Sequence, residues 1–160
     1  MKYNNLNQFK DSFSNYTELR VQENRNNRVN LTNGDVTGNV ASSDSGVSAR
    51  VFKDGNWGFS SSPDITNDNI LNVVKSSTDN VQFLNKKDTT RCGIFLPETQ
   101  ANYEMNFTTK KDRQNQKFWL DFVKEVDGYI EKAYPELLSR NLVLGGLDME
   151  KSLFTSDGSE

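Results

Sequence analysis

The chain has 160 residues, nineteen Lys and Arg against twenty-two Asp and Glu, one cysteine and no histidine. A net charge of −3 argues against a nucleic-acid binder that works by neutralising phosphates, and no apolar run reaches the length of a membrane span. Without imidazole, Ser-His-Asp and Cys-His mechanisms and His-ligated zinc are excluded within these residues, whereas an all-carboxylate metal site or a carboxylate-pair hydrolase stays open.

Apolar residues make up only 34% of the chain, yet ten Phe, five Tyr and two Trp supply bulky core material that a disordered chain lacks. Met1–Lys10 contains no signal-peptide core, and the lone thiol suits a reducing cytoplasm. Residues 3–14 place Leu6, Phe9 and Phe13 at helical spacing, which predicts an amphipathic opening helix. The period then falls to two: over 16–22, Leu19 and Val21 share one strand face and Glu18, Arg20 and Gln22 the other. Arg25–Arg28 reads as a polar turn, after which alternation resumes at Val29–Leu31.

Asn33-Gly34 favours the positive φ angles of a two-residue hairpin and joins that strand to one over Asp35–Ala41. Ser42–Ser45 reads as a break before Gly46–Phe52, where Val47, Ala49 and Val51 share a face. Asp54-Gly55 is a second hairpin signal, leading into Trp57–Ser60. Four or five consecutive short strands imply an antiparallel meander. Thr66 caps a helix whose stripe is Ile70, Val74, Val81 and Leu84. Residues 85–109 connect, with a short strand at Cys92–Leu96 stopped by Pro97.

Lys110–Tyr134 carries Trp119, Phe122, Val123, Val126, Tyr129, Ile130 and Ala133 at three- and four-residue steps, a helix ended by Pro135. Leu142–Leu144 reads as a strand, Gly145-Gly146 as a bend and Lys151–Ser156 as another strand. Asp157-Gly158 is a third hairpin signal with no returning strand before residue 160, the pattern of the front portion of a longer protein.

Few residues carry obvious chemistry. Arg91 beside Cys92 would lower the thiol pKa, but without a histidine base a structural thiol is the ordinary account. Asp121 with Glu125, and Asp127 with Glu131, are helical neighbours able to hold a cation or exchange protons, although a solvated face explains them as well. Gly145-Gly146 lacks the Lys-Ser/Thr of a phosphate loop. The most patterned stretch holds Gly46, Arg50, Asp54, Gly55, Trp57, Gly58 and Phe59. As a hairpin, it sets Trp57 and Phe59 on one face, and Gly58 admits another backbone. The apolar side of the helix at 110–134 is the expected cover for that face.

That stretch, Gly-Val-x-x-Arg-Val-x-x-Asp-Gly-x-Trp-Gly-Phe-x-Ser from Gly46, together with Thr17-Glu18-Leu19-Arg20 upstream, resembles the first domain of the TldD/PmbA family. Members are also described as modulators of DNA gyrase and as peptide-maturation proteins. The resemblance is specific over residues 16–80 and looser over 110–160. It implies a zinc metallopeptidase system whose ligands, a His-Glu-x-x-x-His helix and a later cysteine, match nothing here. It further implies a homo- or hetero-dimer that encloses unfolded peptide.

The expectation is therefore an α+β fold, a twisted antiparallel sheet covered by two or three helices, with a second subdomain beginning at the C-terminus. Residues 1–86 would form the first domain and 87–160 a connector plus part of a central one. The expected role is a cytoplasmic, non-catalytic scaffold of the metallopeptidase or of its non-metal partner subunit. No cofactor lies in this chain, zinc belonging to the complete enzyme, and neither nucleic acid nor membrane is a partner. The alternative is a stand-alone module that binds a protein or peptide through a sheet edge or the Trp57/Phe59 face.

Overall fold

The computed structural model describes residues 5–88, 90 and 111–158; the strand expected at Cys92–Leu96, its stop at Pro97 and the start of the second helix at Lys110 lie outside them. Both inner hairpins form where the sequence places them. Asn33 and Gly34 take φ of +52° and +88°, and Asp54 and Gly55 take +48° and +84°, the paired left-handed geometry whose twist matches that of the flanking strands. They join β1 (Tyr16–Thr32), β2 (Asp35–Lys53) and β3 (Asn56–Ser62) into a meander, and β4 (Asn141–Thr155) lies on the far side of β1. The fold is α+β, a four-stranded antiparallel sheet in the order β3-β2-β1-β4 with α1 (Asn67–Lys87), α2 (Gln116–Ala133) and a 3-10 turn at Leu6–Ser12.

Several breaks expected from local sequence are absent. Arg25–Arg28 continues β1 and Ser42–Ser45 continues β2. β1 has a strand on each side, so ladder pairing on both edges outweighs the turn preference of its asparagines. At the C-terminus, the two strands expected to open a second sheet are one strand of the same sheet. Gly145-Gly146 permits a bend but does not impose one.

Two compact units make up the described chain. One takes the described residues of 1–23, 45–106 and 150–160, the other those of 24–44 and 107–149. In the first, Leu19 and Val21 of β1, Val47 and Ala49 of β2, Ile70, Val73 and Val74 of α1, Phe154 of β4, and Leu6 and Phe9 form one buried cluster. The opening segment is thus a single 3-10 stretch rather than a longer helix, anchored by those two side chains. In the second unit, Val29, Leu31 and Val123 are buried and Trp119, Leu120, Leu142 and Leu144 pack on them. The Asn115 side-chain oxygen caps α2 by accepting from the Phe118 N–H at 2.9 Å.

Candidate functional site

The patterned stretch is the β2–β3 hairpin, and alternation divides its residues between two faces. Asn56 and Gly58 face inward, against α1. A Cβ built on Gly58 would stand 2.1 Å from the Ser77 carbonyl oxygen and 2.6 Å from the Val81 nitrogen. The backbone that glycine admits is therefore that of α1, and no other residue fits. Ser77 is fully buried, and its hydroxyl lies 2.9 Å from both the Ala49 and Val73 carbonyl oxygens, able to donate to either. The Asn80 amide donates to the Phe59 carbonyl at 2.8 Å.

At the turn, the Asn56 amide donates to the Asn85 side chain at 2.7 Å, and the Asn85 amide donates to the Asp54 carboxylate at 3.4 Å. Asp54 and Gly55 thus set the turn and tie it to the end of α1. At the other end of the ladder, Val47 pairs with Ser62, and a Cβ on Gly46 would meet the Ser62 carbonyl oxygen at 3.0 Å.

Arg50, Trp57 and Phe59 face outward. Phe52 stands opposite Trp57 in the ladder and Arg50 opposite Phe59. Arg50 clasps the Glu18 carboxylate through Nε and, at 3.0 Å, through Nη2, a fork that fixes the guanidinium plane. That plane lies 4.7 Å above the Trp57 ring. Phe52 and Tyr16 meet the same indole edge-on, at 5.1 and 6.1 Å between ring centres, and the Tyr16 hydroxyl donates to Glu18 at 3.3 Å. Hydrogen bonding to Glu18 holds the Arg50 guanidinium above its ordinary value. Burial, reinforced by the Glu18 charge, pushes the Tyr16 phenol up to about 12.

The expected helical cover over Trp57 and Phe59 is not there. They are 37% and 59% exposed, and the apolar side of α2 packs on Val29 and Leu31 of its own unit. The face is an aromatic row with its cation already paired. Arg50 is engaged by the Glu18 carboxylate, and the Tyr16 phenol is held neutral well above its ordinary range.

Of the carboxylate pairs, Asp127 and Glu131 both accept from Arg140, at 3.1 Å each, and Lys117 bonds Asp121. Among the described residues no three Cys, Asp or Glu side chains gather as metal ligands, and with no histidine in the chain these residues do not fit a zinc site. Cys92 lies outside the described residues. Sequence reading passed over Ser77, Asn80 and Asn85, polar residues of α1 whose partners on β2, β3 and the β2–β3 turn lie far away in sequence.

Residues 17–81 match the model described as PmbA/TldA metallopeptidase domain 1, bearing out the resemblance seen in the motif. No curated protein matches the chain. Among solved structures, a proposed modulator of a DNA gyrase from Thermotoga maritima is 18% identical, with a TM-score of 0.64 over 89% of this chain and 32% of its own. A proposed gyrase modulator from Bacteroides thetaiotaomicron is 16% identical, with a TM-score of 0.62 over 94% of this chain and 35% of its own. TldE from Thermococcus kodakarensis is 12% identical, at 0.50 over 94% and 37%. At these identities the likeness is one of fold, and the chain spans about a third of each structure's length.

Proposed function

We propose that this chain, whose residues 17–81 carry the first domain of the PmbA/TldD family, is the non-catalytic scaffold of a metallopeptidase or of its non-metal partner subunit. The observation that carries the reading is the motif in its structural setting: Gly58 seats α1 against the hairpin while Trp57 and Phe59 remain outside for another part of the assembly to cover. The domain would help wall a cavity that takes unfolded peptide, in a homo- or hetero-dimer working in the cytoplasm. Zinc, if the complete enzyme follows the family description, would sit on residues outside this chain, since those present do not fit it. No described helix is long and apolar enough to cross a membrane.

The test is to express the full reading frame around residues 1–160 and follow cleavage of an unstructured peptide and association with a family subunit. The full protein, alone or with that subunit, is expected to cut the peptide while the 160-residue chain does not. Cleavage by the 160-residue chain, or a full protein that neither cuts nor associates, would overturn the proposal.

A further inference from the structure

We propose that the outer face of the sheet in the first unit is a docking surface for an acidic stretch of polypeptide, whose carboxylates meet Arg20 and Lys151 while its apolar side chains lie on Trp57 and Phe59. Alternation decides which residues share that face. Leu19 and Val21 of β1 and Phe154 of β4 belong to the buried cluster shared with α1. Arg20 on β1, and Lys151 and Leu153 on β4, therefore point the other way, to the side that holds Arg50, Trp57 and Phe59. Arg20 and Lys151 are exposed, and Leu153 is 42% exposed.

Charge selects the occupant. Among the described residues, neither the Arg20 nor the Lys151 side chain has an ion pair or hydrogen bond. Glu18 is held by Arg50, and the Asp157 carboxylate, near Tyr16, is bonded by the Thr155 hydroxyl. The face thus offers uncommitted cations in a chain of net charge −3, which favours a partner with carboxylates at matching positions and turns away a basic one. Arg20 and Lys151 are too few to neutralise a run of phosphates, and the overall charge repels a polyanion, so polypeptide is favoured over nucleic acid. The Trp57 ring is already fixed in orientation by Arg50, Phe52 and Tyr16, and ordered aromatic rings are common anchors of protein contacts. The inference deepens the proposed function: it rests on the reading that another polypeptide covers this face, and adds the chemistry of that polypeptide.

Fluorescence anisotropy with the 160-residue chain and a labelled peptide of Glu, Ser and Phe tests it, beside versions with Gln or Lys in place of Glu and a single-stranded oligothymidylate. The acidic peptide should bind about tenfold more tightly than the Gln version, two exposed charge contacts being worth up to that much. Its binding should weaken as salt rises and should shift the Trp57 indole N–H resonance. Arg20→Gln combined with Lys151→Gln should remove the preference and leave Tm unchanged, since neither side chain is engaged among the described residues. Phe59→Ser should weaken the acidic and Gln peptides alike, and Lys75→Gln, at an exposed position on α1, should change nothing. Equal affinity for the acidic and Gln peptides, a preference that survives the double variant, loss of binding with Lys75→Gln, an unmoved Trp57 resonance, or tighter binding of the oligothymidylate would each overturn the inference. No cleavage and no family subunit enters the assay, so its outcome is read separately from that of the proposed function.

Discussion

Gly58→Ala is the smallest change that asks whether α1 lies where the structure puts it. The new methyl carbon would stand 2.1 Å from the Ser77 carbonyl oxygen, 2.6 Å from the Val81 nitrogen and 2.9 Å from the Val81 Cβ. Ordinary contact needs more than an ångström beyond the first of these, and two of the three atoms are helix backbone, so no rotamer change relieves the clash. Either α1 lifts or β3 bends. Lifting α1 loosens Ile70, Val73, Val74 and Val81, all buried, and forfeits part of their dispersion contacts. We take the cost as about 3 kcal/mol, the upper end of ordinary overpacking, which lowers Tm by about 10 °C or more. Thermal and urea unfolding followed by circular dichroism measures it. Gly128→Ala is the control: nothing lies within 4 Å of its Cβ position, so in mid-helix it should gain up to about 1 kcal/mol. If Gly58→Ala melts with the wild type, the close approach of helix and hairpin is wrong.

Gly55→Val, at φ +84°, should cost about 1–3 kcal/mol through backbone strain, read as a lowered urea midpoint. Trp57→Ala should cost about 1–2 kcal/mol, less than the ~3–5 of a fully buried aromatic, and leave the domain folded by near-ultraviolet and amide spectra. Tyr16 titrates higher folded than unfolded, so its contribution is complete below pH 10 and fades as pH rises toward 12. With its solvent exposure discounted, the loss is about 1 kcal/mol. Tyr16→Phe should flatten that part of the stability–pH curve and remove the tyrosine absorbance step near pH 12.

The hairpins and the core faces were legible because their causes are local. Asn33-Gly34 and Asp54-Gly55 tolerate left-handed backbone, and Leu19, Val21, Val47 and Ala49 alternate with polar neighbours. What was not legible depends on distant partners. Arg25–Arg28 is strand because β2 and β4 flank β1, which no property of those four residues announces. Ser77 carries no local signal, whereas in the fold its buried hydroxyl bonds the Ala49 carbonyl of β2 across to α1. The outer position of Trp57 and Phe59 was misjudged for a related reason. Two apolar surfaces in one sequence, the hairpin face and the helix at 116–133, invite pairing, but α2 covers the side chains of its own unit.

Zinc titration of the 160-residue chain by calorimetry, with metal content checked by mass spectrometry of the native protein, bears most directly on the claim that this domain is scaffold and not catalyst. The chain lacks histidine, its Asp127 and Glu131 carboxylates are taken by Arg140, and a lone thiol makes a poor zinc site. The account predicts no tight stoichiometric site at neutral pH. One tight site per chain, lost when Cys92 or a carboxylate pair is replaced, would contradict it.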